Sequence, residues 1–164
     1  MFRITKLADY GILLMAYLAS DRRQGVHTAR DLSGATGVPL PTVSKILKAL
    51  ARAGLLASHR GVGGGFALAR EANRISVADV VTALEGPIAL TTCLNPASES
   101  CGIEASCPVR PNWERINEAV RAALSTLSIP EMVMFRFPTK AGEAAAAATG
   151  ASSAAPAASP TVPS

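Results

Sequence analysis

All three cysteines of the chain, Cys93, Cys101 and Cys107, fall in one 15-residue stretch, CLNPASESCGIEASC. Thiolates are soft metal ligands and also nucleophiles in redox exchange. The Cys-x7-Cys-x5-Cys spacing lacks the CxxC pairs of structural zinc sites, and the two histidines, His27 and His59, lie far upstream. Three thiols on a segment rich in turn formers, with room between them, suit a metal cluster larger than one ion. Two other readings stand beside that one: a thiol–disulfide switch, and buried cysteines with no chemical role. An odd number cannot all pair within one chain, which argues against an oxidising compartment and for the cytoplasm.

The surrounding elements must say what the cysteines serve. Residues 1–70 hold ten Lys or Arg against three Asp, a net +7, whereas residues 71–138 hold five cations against eight carboxylates, a net −3. That asymmetry predicts a polyanion-binding half joined to something else. Ile4, Leu7, Gly11, Leu14 and Leu18 recur at helical spacing and predict a helix from Thr5 to about Ser20. The apolar run inside it is too short for a secretory signal, and far short of the roughly 20 residues of a membrane span.

Thr28 is an N-cap for a short helix ARDLSGAT, which Gly37 ends. Val38-Pro39-Leu40 reads as a turn, with Pro41 opening a second helix, PTVSKILKALARAG, closed by Gly54. That helix presents Val43, Ile46, Leu47 and Leu50 inward and Thr42, Ser44, Lys45, Lys48 and Arg52 outward. Two short helices about a tight turn predict a helix-turn-helix whose second helix enters the major groove of double-stranded promoter DNA. Ser44 and Lys45 are placed for base edges; Lys48 and Arg52 suit phosphates. LLASHRGVGGGFALAR then reads as strand Leu55–Ser58, a glycine tip at 61–65, and strand Phe66–Leu68, a β wing. Gly63 and Gly64 permit close backbone approach to phosphates, and Arg60 sits where a guanidinium can enter a narrow minor groove. No GK[ST] follows GVGGG, so it is not a nucleotide-cradling loop.

Past the wing, Ser76 caps a helix ending at Gly86. Beyond the cysteines, Trp113, Ile116, Val120, Ala123 and Leu127 are spaced three, four, three and four residues apart, the seam of a two-helix coiled coil, and predict a homodimer. From Ala141 the chain is 11 alanines in 24 residues, the rest almost all Gly, Ser, Thr or Pro, with nothing large to bury. The expected fold is therefore mainly α with a small β wing. A winged helix-turn-helix spans 1–86, a cysteine loop 87–110 and a dimerisation helix with the end of the folded part 111–138. A disordered tail completes the chain at 139–164.

The segments RITKLADYGILLMAYLA, GVPLPTVSKILKALARAGLL and SHRGVGGGFALAR, with three cysteines ahead of a Trp-containing helix, resemble the iron–sulfur winged-helix regulators of the IscR and NsrR type over about residues 1–135. Within that family, PLPTVSKILK and CPVRPNWERIN are most similar to the regulators of SUF iron–sulfur assembly genes. The resemblance implies a homodimeric repressor in which Cys93, Cys101 and Cys107 bind an iron–sulfur cluster whose occupancy controls transcription. IscR-like members place a histidine ligand three residues past the last cysteine. Arg110 stands there, so a histidine-completed 2Fe-2S site is excluded. NsrR-like members take an aspartate from the partner's first helix in a T-K-x-x-D-Y context, which Thr5–Tyr10 matches. Asp9 is thus the implied fourth ligand and Glu104 a second candidate, with 2Fe-2S and 4Fe-4S both open. Nitric-oxide or redox sensing on the same scaffold is the alternative function. An enzyme is not expected, because no catalytic constellation exists, and a cluster carrier would not need the DNA-reading half.

Overall fold

Thr5 starts the first helix without belonging to it. Its backbone is extended and its hydroxyl accepts the Ala8 amide, so α1 runs Lys6–Ser20. The computed structural model describes residues 4–21, 25–96 and 101–133; the expected end of the folded part at 134–138 and the tail at 139–164 lie outside the described residues. α1 is the central element of the core, burying Leu14 and Met15 completely. It crosses α4 (Val77–Glu85) closely at Gly11, where a Cβ would overlap the Leu84 side chain. Glu85, at the end of α4, accepts both the Thr5 amide (3.1 Å) and the Thr5 hydroxyl (2.6 Å), fastening the two helices end to end.

α2 (Ala29–Thr36) carries the expected cap in full, with Thr28 and Asp31 forming a reciprocal capping box and Gly37 closing the helix at φ 73°. α3 spans Leu40–Arg52, one residue longer at its start than the sequence suggests. The cause is Pro39, which takes the N-cap position at φ −56° and leaves Pro41 in the first turn, where a missing N–H costs nothing. The tight turn thus shortens, and Leu40 joins the helix. Val43, Ile46, Leu47 and Leu50 are all fully buried, as their spacing requires. The wing pairs β1 (Leu56–His59) with β2 (Gly65–Leu68) antiparallel, Leu56 opposite Leu68 and His59 opposite Gly65.

The long helix, α5, runs Arg110–Thr126. Leu127 is extended and lies outside it, so the expected apolar seam ends on the helix at Ala123. Hydrogen bonding explains the break: Val77 donates to the Leu127 carbonyl and Ile129 donates to the Ile75 carbonyl, both at 2.9 Å. This short bridge returns the chain to the body of the protein, where Ile129 is fully buried. α5 also packs on α4, and Leu124 joins the core. The architecture is the expected mainly helical winged helix-turn-helix with a small β wing.

Candidate DNA-reading face and cysteine loop

The outer side of α3 keeps the polar character its sequence promised. Lys45, Lys48 and Arg52 are exposed, and Thr42 and Ser44 are half-buried along the same helix. None of the three cations takes part in an ion pair with a described residue, so their charges remain available to an external anion. Beside them the wing is sutured to the body by His27, whose amide and carbonyl both bond Phe66 of β2 (2.9 and 2.8 Å). The His27 ring packs edge-on against Tyr17 at 5.9 Å, and its Nε2 lies 2.7 Å from Asp21 Oδ2. In the sequence His27 falls in the DNA-binding half with no role of its own, because nothing local signals a pairing across 39 residues of chain. Arg60 and Gly63 are exposed at the tip. Gly64 is half-buried, and a Cβ there would overlap the His59 carbonyl, so its bareness serves the turn itself.

The three cysteines are free thiols, each half-buried. Cys93 lies in a 3-10 turn (Thr92–Leu94), with its sulfur 3.2 Å from the Thr91 hydroxyl. The segment leading to it is held by α5: Asn117 accepts the Leu90 amide and donates to the Ile88 carbonyl, both at 3.0 Å. Cys101 and Cys107 flank a second 3-10 turn (Glu104–Ser106). Here the amides of Glu104, Cys107 and Arg110 donate in succession to the carbonyls of Cys101, Glu104 and Cys107 (2.9, 3.4 and 3.4 Å). Residues 101–110 therefore follow a defined path. Residues 97–100, between the two halves of the loop, lie outside the described residues.

Arg110, at the start of α5, ion-pairs with Glu104 (3.0 Å) and approaches Glu114 (3.3 Å). Its Nε is buried and makes no hydrogen bond, because the Glu114 oxygen is near it but misaligned. Glu104, the second candidate for a fourth ligand, is thus already engaged by a guanidinium. Asp9 is exposed on α1, beside an open groove of about 560 Å³ lined by Ile4, Lys6, Ile12 and Met132. Among the described residues no three His, Cys, Asp or Glu side chains converge closely enough to hold an ion. One chain does not gather Cys93, Cys101, Cys107 and Asp9 into one site. The donor set itself, three free thiols without a disulfide, matches the chemistry that iron–sulfur clusters require. On α5, Trp113 (39% exposed) and Ile116 (46%) remain open to solvent, Ala123 is exposed and Val120 half-buried.

These features define a winged helix-turn-helix protein with a thiol-bearing appendage. Residues 4–134 match the Rrf2 family, described as iron-dependent transcriptional regulators. The chain belongs to the Rrf2 family of transcriptional regulators. It is similar to the HTH-type transcriptional regulator IscR of Xenorhabdus nematophila, 30% identical over 131 residues that cover 80% of this chain and 79% of that protein. IscR of Serratia proteamaculans is 28% identical over the same shares. Among solved structures, CymR, the global cysteine regulator of B. subtilis, superposes with a TM-score of 0.62 at 26% identity, covering 80% of this chain and 96% of that one. The fold of T. potens IscR is likewise shared, with a TM-score of 0.60 at 22% identity over 93% of this chain and 94% of that one. No described helix is long and apolar enough to cross a membrane.

Proposed function

We propose that this protein is a cytoplasmic, homodimeric repressor of iron–sulfur assembly genes of the SUF type, controlled by occupancy of an iron–sulfur cluster on Cys93, Cys101 and Cys107. The observation that carries the reading is the set of three free, half-buried thiols beside α5 in a chain of an iron-dependent regulator family. When bound, the cluster supplies a redox-sensitive and acid-labile link between thiolates. The protein's own residues do the rest. Thr42 lies on the DNA-facing side of the helix, Ser44 and Lys45 face base edges in the major groove, Lys48 and Arg52 neutralise phosphates, and the wing lays Arg60, Gly63 and Gly64 on the minor groove. Trp113, Ile116, Val120 and Ala123 form the dimer seam, and Leu127 closes its end from outside the helix.

Asp9 completes the site from the other subunit. Its exposure beside a groove, and the absence of any convergence with the cysteines within one chain, support a ligand that crosses the interface. Asp9→Ala is expected to leave a cluster on three cysteines, more labile and altered in its absorption spectrum; an unchanged spectrum and lability would assign the fourth ligand elsewhere. The reading as a whole is tested by purifying the protein without oxygen, measuring iron and sulfide per subunit, and footprinting it across the suf promoter. Stoichiometric iron and sulfide with a protected operator support it. Colourless protein that ignores that promoter refutes it.

A second reading, a redox sensor without a resident cluster, is favoured by likeness to S. aureus CymR, solved in an oxidized form. Its TM-score is 0.60 at 27% identity, covering 82% of this chain and 98% of that one. Disulfide formation under mild oxidant in iron-free protein, with a matching change in DNA affinity, would distinguish it.

A further inference from the structure

The wing tip carries one feature that the assigned contacts leave unused. Of residues 61–65, Val62 alone has a side chain, and it is fully exposed, touching nothing in the protein. The turn that presents it is closed by the Gly64 amide donating to the Gly61 carbonyl at 2.9 Å. Gly61 (φ 101°) and Gly63 (φ 82°) flank it in a backbone region closed to ordinary side chains. A Cβ on Gly64 would overlap the His59 carbonyl, and one on Gly65 would overlap the His27 carbonyl. The tip is consequently a thin ridge of backbone with two methyl groups at its apex. Valine is stiff at χ1, so placing those methyls against a surface costs little further side-chain freedom.

What that apex meets follows from its neighbours. Arg60 is exposed directly before the turn, and the half of the chain that contains it is at +7. A cationic ridge without flanking apolar groups fits a narrow anionic groove, and the minor groove of DNA is about 6 Å wide. Its floor shows acceptors over every base pair, and only G·C adds a projecting amino donor. Under an apolar cap that amino group loses its acceptor and meets the methyls sterically. We propose that Val62 is a specificity-determining residue, which packs on the minor-groove floor and selects A·T pairs beneath the wing by excluding the guanine 2-amino group. The proposal rests on the DNA-binding reading of the wing.

The test uses the full-length protein and a duplex selected by it from a randomised pool, with the wing-proximal pairs then replaced by A·T, G·C or inosine·C. Inosine presents the guanine edge without the 2-amino group, so it separates that group from all other features of G·C. Wild type is expected to bind A·T and inosine·C duplexes alike and the G·C duplex about tenfold more weakly. Val62→Gly and Val62→Ser should bind all three within about twofold of one another, with unchanged circular dichroism. Arg60→Ala should weaken binding to all three while keeping the preference. If wild type treats G·C and inosine·C alike, or the Val62 variants keep the preference while Arg60→Ala still weakens binding, Val62 does not read the groove. If Arg60→Ala also changes nothing, the wing does not contact DNA, and the underlying reading falls with the proposal.

Discussion

Arg110 bridges Glu104 and Glu114, and through Glu104 it holds the turn on which Cys101 and Cys107 sit. Its side chain is 38% exposed, so each pair contributes at most about 0.5 kcal/mol of global stability. The consequence is local. Arg110→Gln removes both pairs, at most about 1 kcal/mol together, and is expected to shift the melting temperature by no more than about 4 °C. Amide exchange at Glu104 and Cys107, and the reaction of Cys101 and Cys107 with a thiol reagent, should accelerate several-fold relative to Cys93. Unchanged exchange and reactivity would mean that the backbone bonds alone hold the turn. In the sequence Arg110 has only a negative meaning, the lack of a histidine, and Glu104 stands as a candidate ligand. A pairing across six positions in an irregular segment follows no helix or strand period, so no pattern could announce it. The cysteines were legible because their type limits their chemistry; their neighbours became so only in three dimensions.

At the scale of elements, legibility followed the presence of chemical punctuation. α2 ends where Thr28, Asp31 and Gly37 say it must, and the buried face of α3 follows its period. The close of α5 has no such marker. Leu127 continues the apolar spacing, yet pairing with Val77 and the burial of Ile129 draw the chain away. Ile129→Ala should therefore cost about 2–5 kcal/mol in chemical denaturation, the loss expected of a core position. A loss under about 1 kcal/mol would show the return segment to be peripheral. Ile116 behaves differently, because it is exposed within one chain. Ile116→Asp should preserve circular dichroism and yet yield monomers in sedimentation, since a dimer would bury an unpaired charge on each side. An intact dimer would move the interface off α5. The return segment also carries a pH dependence. The Ser128 hydroxyl and amide hold the exposed Glu131 carboxyl below the usual carboxylate range. A lowered value means the clamp is complete above the ordinary carboxylate pKa and is lost as pH falls through the depressed one. Loss of protection at the Ser128 amide, measured against the intrinsic exchange rate at each pH, should appear only in that acidic window, and a loss of protection near neutrality would contradict the assignment.

Across the whole molecule the charge division matches the division of labour: a +7 half carries the helix-turn-helix and wing, and a −3 half carries the cysteines and α5. If a dimer makes about 6 phosphate contacts, log affinity should fall with log salt at a slope near −5. A salt-independent affinity would contradict DNA binding through these cations. The structure also provides a continuous route between the two halves. Asn117 ties the segment before Cys93 to α5, α5 packs on α4, and Glu85 of α4 fastens the start of α1, next to Asp9. In the proposed dimer, a cluster bridging Cys93 and the 101–107 turn would act on α1 along this route, and coupling of a few kcal/mol is enough to switch a promoter. The most direct test is the operator affinity of wild-type protein, loaded and stripped of iron and sulfide, beside Cys101→Ala prepared in both ways. Loaded and stripped wild type are expected to differ by at least about tenfold, in the range of ordinary allosteric coupling. Cys101→Ala should match stripped wild type in both preparations. Equal affinities for loaded and stripped wild type, or a Cys101→Ala protein that still switches, would contradict this coupling.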